Sequence, residues 1–350
     1  MVGQGPLALD GTGVVNILLE SRAFYPSVGG LEMMSRELAT AWQDAGHTVR
    51  IVTITPLDGD AELVALTVNR QPSSTEMRRH VQWADVFVQS GISLRSLHWP
   101  VWERTPVVII HHNLLSGGQD TGVRAWLKRR ATHLGVNVGV SRPVAEAVPG
   151  PVVRIPNTFR PVYDQPDAGD ESRDGLLFVG RLVSVKGGDL TIEALRRLRE
   201  RGVKTTLTIC GDGPERDALE RQAKEADLEN AITFAGWTEP NELAAHYRHA
   251  EGLLVPSRYE PFGIVALEAI ASGCPVVAAE TGGLPEAVGN CGLLVPPDDV
   301  SALADATERA LQSDVRHDLR SAMPAHVDRH RIDRIATDYL HLLRRVVRVN

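Results

Sequence analysis

Two glutamates, Glu260 and Glu268, bracket a Pro-Phe-Gly turn in the stretch SRYEPFGIVALEAIASGCPVVAAE, residues 257–280. GLLVPS before it reads as a strand, RYEPFG as the turn at the strand's C-terminal end, and GIVALEAIAS as a helix starting at Gly263. That order turns unpaired backbone N–H groups and the positive end of a helix toward the space beyond the strand, a setting for a phosphate. Gly263 carries no Cβ, so the backbone can approach an anion closely, and Pro261 stiffens the turn. Glu268, five residues into the helix, suits the paired hydroxyls of a ribose, and Glu260 could accept hydrogen bonds from a second polyol. Two glutamates at this spacing are more often surface carboxylates flanking a capped helix. The preceding strand and the glycine at the helix start favour the anion site.

Cations that would answer such an anion lie in LLFVGRLVSVKGGDLTIEAL, residues 176–195, with Arg181 at a strand end and Lys186 before a Gly-Gly helix start. Taken alone they would read as solvated charges near a helix end. Beside the glutamate turn they suit a diphosphate, each charge-assisted bond contributing roughly 1.5–3 kcal/mol. FYPSVGGLEMMSREL (24–38) offers Gly29 and Gly30 between a strand and a long helix, where loop backbone could meet the same anion from the other side. PVVIIHHNLLSGG (106–118) ends a strand with His111 and His112, one expected in the packing and the other in the cleft. No metal is expected: His326 and His330 share a helix spacing without further ligands, and the lone D-x-D, Asp58 to Asp60, falls in a loop. The GTG at 11–13 precedes its strand, the wrong order for a dinucleotide-dehydrogenase fingerprint.

These groups must be held by short β-branched runs alternating with helical patterns, the signature of parallel sheets covered by helices. One set of runs occupies 14–20, 48–54, 84–88, 106–111, 135–140 and 151–155, and a second 176–180, 205–210, 231–236, 252–257, 275–280 and 292–296. The expected architecture is α/β, two Rossmann-like doubly wound domains facing a central cleft: residues 1–160, a polar linker 161–175, and residues 176–326. An amphipathic helix over about 327–350 is expected to pack back on the first domain.

At 350 residues with 43% hydrophobic and 23% charged side chains, the composition is globular, and no apolar run is long enough to cross a bilayer. A net charge of −7 argues against a nucleic-acid partner. The N-terminus shows no signal-peptide pattern, and Cys210, Cys274 and Cys291 lack metal spacing, so buried reduced thiols and a cytoplasmic location are expected. The basic stretch AWLKRRATHL (125–134) could touch an anionic membrane surface, although its shortness and the acidic chain favour a solvated helix face.

Taken together and in this order, GGLE (29–32), LATAWQDAGHTVRIV (38–52), His112, VSRPV (140–144), IPN (155–157), FVGRLVSVKGGD (178–189), CGDGPE (210–215), VPSRYEPFGIVALEAIASGCPVVA (255–278) and GGLPEAV (282–288) resemble glycosyltransferase family four, retaining enzymes of GT-B fold. The resemblance spans almost the whole chain and is densest in the second domain; segments 56–83 and 113–133 match nothing specific. It implies transfer of a sugar from a nucleoside-diphosphate sugar, the co-substrate, to a hydroxyl acceptor that is a small molecule, lipid or polysaccharide. No further cofactor or metal is implied. Arg181 and Lys186 would meet the diphosphate, Glu268 the ribose and Glu260 the donor sugar. The turn of Phe262, Gly263 and Ile264 would bind sugar and phosphate, Gly29 and Gly30 would close from the first domain, and His112 would lie near the sugar. Two departures stand out: NTFRP (157–161) at the hinge, and a doubled glycine after Lys186 that could loosen the phosphate loop. A sugar-nucleotide epimerase and a silent nucleotide-sugar-binding protein are the rival readings.

Overall fold

A computed structural model describes residues 13–25, 29–57, 66–115, 122–164 and 173–349; the D-x-D at Asp58 to Asp60 lies outside them. The first sheet has seven parallel strands: β1 (Asn16–Ser21), β2 (Thr48–Thr53), β3 (Thr67–Arg70), β4 (Val86–Ser90), β5 (Val107–His111), β6 (Val136–Gly139) and β7 (Val152–Arg154), in the order β3-β2-β1-β4-β5-β6-β7. The second has six: β8 (Leu176–Val179), β9 (Leu207–Cys210), β10 (Ile232–Gly236), β11 (Gly252–Val255), β12 (Val276–Ala279) and β13 (Gly292–Val295), in the order β10-β9-β8-β11-β12-β13. Each order reverses direction once, between β1 and β4 and between β8 and β11. At such a switch the loops part and leave a crevice beyond the strand ends.

The strands read as near-continuous apolar runs because both faces of each sheet are covered. On one face of the first sheet lie α1 (Gly30–Asp44) and the C-terminal helix. On the other lie α2 (Ser74–Trp83), α3 (His98–Glu103) and α4 (Val123–Ala131) around Leu18, Phe87 and Ile109. After α5 (Arg142–Glu146), the second sheet carries α6 (Gly188–Glu200), α7 (Arg216–Glu225) and, later, α11 (Val300–Ala310) on one face. Its other face carries α8 (Pro240–His249), α9 (Ile264–Ala271) and α10 (Leu284–Val288), and their core is continuous with that of the first domain.

The structure adds detail in three places. The short strand β3 and the capped helix α2 lie in the stretch that matched no motif, with Ser73 and Glu76 closing a reciprocal capping box. The stretch 160–175 is held at its described ends, since Tyr163 packs edge-on against Tyr247 with ring centroids 5.6 Å apart and Arg173 donates to the Ala250 carbonyl at 3.0 Å. The C-terminal region is not one helix. After α12 (Ser313–Ser321), α13 (Met323–Arg329) stops at His330, whose carbonyl accepts the Thr158 hydroxyl at 2.6 Å, and α14 (Ile332–Val349) begins beyond it. A carbonyl engaged by the hinge is turned away from the helix ladder. The α14 helix packs on α1, with Trp42 Nε1 donating to the Ala336 carbonyl at 3.3 Å.

Candidate functional site

Two loops of the second sheet form one wall of the cleft. After β8, Arg181 is exposed, and a 3-10 turn over Ser184–Lys186 leads into Gly187, whose φ of 73° is a left-handed conformation that favours glycine. A Cβ built on Gly187 would lie 2.3 Å from the Pro256 carbonyl oxygen, so the loop after β8 is pressed against the loop after β11. The doubled glycine therefore tightens this loop where the sequence implied loosening.

Arg258, two residues before Glu260, fastens the same junction. Its backbone N–H donates to the Val185 carbonyl at 2.8 Å, and its guanidinium donates to Asp189 at 2.7 and 3.0 Å and to Asp298 at 2.7 Å. Burial works against ionisation of Asp189, but the Arg258 guanidinium outweighs it and holds the carboxyl below its usual range. Between these loops Lys186 Nζ donates to Glu260, an ion pair with Lys186 28% and Glu260 12% exposed. Among the described residues Arg181 forms no ion pair.

The turn after Glu260 is fixed from behind by the loop before α10. The Gly283 N–H donates to the Glu260 carbonyl at 2.9 Å, and a Cβ on Gly282 would lie 1.9 Å from that oxygen. Gly263 has φ 108°, and a Cβ there would lie 2.6 Å from Leu284 Cδ2. Packing and backbone conformation thus demand glycine there irrespective of any ligand. Phe262 departs from expectation: its ring is buried in the core, 6.2 Å from the His330 ring, and only its backbone faces the turn. Glu268 sits deeper than a cleft-edge carboxylate, 7% exposed, with Tyr247 Oη donating to Oε2 at 3.2 Å. Burial raises its pKa to about 7 against the opposing charge of Arg160.

The facing wall comes from the first domain. Gly29 is the extended N-cap of α1, and a Cβ on Gly30 would lie 3.0 Å from Ile264 Cδ1, so the starts of α1 and α9 meet across the cleft. No side chain caps either helix. Ser141 Oγ donates to the Pro261 carbonyl at 2.7 Å and the Arg142 N–H to Glu286 at 2.6 Å, fastening the walls together.

His111 points into the packing and bonds Asn137 at 2.8 Å, whereas half-buried His112 shares a 3.0 Å hydrogen bond with Ser90 Oγ. Ser90 continues through Ser35 at 2.9 Å to Ser21 at 3.0 Å. Burial and neighbouring His111 pull the His112 pKa down to about 4, so its imidazole is neutral at physiological pH. On the opposite face of the first sheet, at the ends of β1 and β2, a cavity of about 250 Å³ is lined by Glu20, Arg22, Gln71, Arg95 and Trp99. Glu20 Oε2 there accepts from Gln89 and Ser96, both at 2.6 Å.

His326 and His330 are buried, tilted against each other with ring centroids 4.6 Å apart, and bonded to backbone carbonyls. Among the described residues no group of three or more His, Cys, Asp or Glu could hold a metal. The sequence reading passed over Arg258, Tyr247 and the serines behind His112. Arg258 alone left a signal, a cation inside the same turn as Glu260.

Residues 161–325 match the family model described as glycosyl transferases group 1. The glycogen synthase of Mycobacterium tuberculosis is 38% identical over 213 residues, covering 57% of this chain and 51% of that protein. A D-inositol 3-phosphate glycosyltransferase of Corynebacterium aurimucosum is 44% identical over 147 residues, covering 40% of this chain and 35% of that protein. The chain thus matches about half or less of the length of these curated relatives. Among solved structures, sucrose-phosphate synthase from Thermosynechococcus elongatus superposes with a TM-score of 0.80 at 23% identity over 96% of this chain and all of that one. Anabaena HepE in complex with UDP and glucose gives 0.79 at 21% identity over 94% of this chain and 99% of that one. Those likenesses are of fold, and the fold is GT-B. Over residues 161–325, just under half of the chain, the sequence is therefore similar to the glycosyl transferases group 1 family.

Proposed function

We propose that this protein is a retaining glycosyltransferase that moves a sugar from a nucleoside diphosphate to a hydroxyl acceptor without a metal ion. The observation that carries the reading is the pairing of Lys186 with Glu260 just ahead of α9, whose uncapped start meets the uncapped start of α1 across the cleft. Positive charge held in place before the reaction stabilises a leaving diphosphate as charge develops on it. Glu268 takes the ribose hydroxyls, and Trp237, 58% exposed in the loop after β10, offers a face to the base. HepE, solved with UDP and with UDP-glucose, makes uridine donors the first to test.

The bond from anomeric carbon to phosphate oxygen breaks while the acceptor oxygen attacks from the same face. The acceptor proton passes to the departing phosphate oxygen. Glu260 is engaged by Lys186 and Glu268 is half-protonated near neutral pH, so neither is presented as a covalent nucleophile. Neutral His112 exchanges hydrogen bonds with the sugar, and the cavity beside Glu20 and Trp99 receives the acceptor.

Proton NMR of the protein mixed with UDP-glucose and other nucleotide sugars, with chelator and then with magnesium, tests this. Donor cleavage in chelator with an α-configured product is expected. An altered nucleotide sugar formed without acceptor would indicate an epimerase, and inert donors throughout would leave only a binding protein.

A further inference from the structure

Helix α4, VRAWLKRRA, places Val123, Trp126, Leu127 and Arg130 on one stripe at i, i+3, i+4 and i+7. An apolar stripe at this spacing ordinarily faces the sheet beneath a helix. Here it faces outward, with Val123 74%, Trp126 59% and Leu127 41% exposed. The helix meets its own domain through the small side chains of Ala131, which is buried, and Ala125, which is half-buried. Leu134 in the following turn is 46% exposed, and Trp102 of α3, a helix on the same sheet face, is 72% exposed.

The flanks of the stripe are basic. Arg124 and Arg129 lie on either side of it and Arg130 at its C-terminal end, all exposed, and between His112 and Ser141 the sequence holds a single acidic residue, Asp120, although the whole chain carries a net charge of −7. Cations gathered on one helix of an acidic protein favour an anionic counter-surface. A tryptophan and a leucine between those cations suit the boundary between lipid headgroups and acyl chains, where an aromatic ring is half wet and half dry. A second copy docking by two-fold symmetry would instead set the same arginines against one another.

The geometry points to α4 as a docking surface for an anionic lipid bilayer, Trp126 and Leu127 entering the headgroup layer and Arg124, Arg129 and Arg130 meeting lipid phosphates. The chain would rest on the membrane surface; no described helix is long and apolar enough to cross it. This placement stands independently of the donor-site reading.

Co-sedimentation of the whole protein with vesicles of phosphatidylcholine alone, and of phosphatidylcholine mixed equally with phosphatidylglycerol, tests it. Binding to the anionic vesicles at least about tenfold above the zwitterionic ones is expected, weakening as salt is raised. Trp126→Ala, and separately the triple variant Arg124→Glu, Arg129→Glu, Arg130→Glu, should each lose most of it. All four side chains are exposed, so unchanged melting temperature and nucleotide response identify these as surface effects. No preference for anionic vesicles, or variants that sediment like the wild type, would overturn the proposal. So would a solution dimer that Trp126→Ala converts to monomer, since a second copy would then cover this face.

Discussion

On the second-sheet side of the cleft the polar contacts are charged and linked: Lys186 with Glu260, and Arg258 with both Asp189 and Asp298. Around His112 on the first-sheet side they are neutral, a run from His112 through Ser90 and Ser35 to Ser21. A diphosphate needs fixed positive charge that is in place before it arrives, and ion pairs among the loops hold that charge still. A sugar whose anomeric carbon gains positive charge is better served by a neutral imidazole than by an imidazolium, and burial of His112 supplies one. Each wall thus carries the electrostatics suited to the part of the donor it would face.

The sharpest way to break this contrast is to remove the charges. Lys186→Ala and Arg181→Ala are each expected to lower turnover at least about tenfold in a donor-cleavage assay. They should differ in melting temperature: Lys186→Ala strips the partner from a largely buried carboxylate, while Arg181 supports no ion pair among the described residues. Turnover near normal in both variants would remove the diphosphate assignment. Next in size, Arg258→Ala should destabilise the fold by about 1–3 kcal/mol in denaturant titration and weaken nucleotide binding as well, since its charged hydrogen bonds fix the loop carrying Lys186. Loss of stability with nucleotide affinity intact would show that the junction does not position the site.

A separate effect is a dependence on pH. Folding raises the Glu268 pKa from 4.5 to about 7, so its contribution to stability is fully present below pH 4.5 and is lost as pH rises through about 7. Glu268→Gln lacks that loss and should gain stability relative to wild type between pH 5 and 8, on the order of 3 kcal/mol at most. Parallel stability curves for the two proteins would show that Glu268 is not held in a desolvated setting.

The same contrast explains what the sequence disclosed. The second wall is legible because its groups are sequence neighbours of unusual character: RYEPFG holds an arginine and a glutamate in one turn, and Lys186 precedes paired glycines. The relay behind His112 is not, because serines at 21, 35 and 90 are ordinary residues until folding brings them together. The break at His330 depends on Thr158, 172 residues away, and apolar periodicity in Val327–Val347 could not register it. Periodicity likewise marks an apolar stripe on α4 but does not say that the stripe points outward. Phe262 is expected at a ligand contact from its place in the turn, yet its ring belongs to the core. In general the sequence revealed elements and charged motifs, while long-range polar partners and side-chain direction required the fold.

The most direct measurement is a thermal-shift titration of wild type and Glu268→Ala with UDP, GDP, ADP, TDP and CMP, in chelator. A stabilisation by one nucleoside diphosphate that is lost in Glu268→Ala is the expected result, and it would assign both the donor base and the ribose contact. Wild-type protein unmoved by every nucleotide, or a shift that survives loss of Glu268, would contradict the site described here.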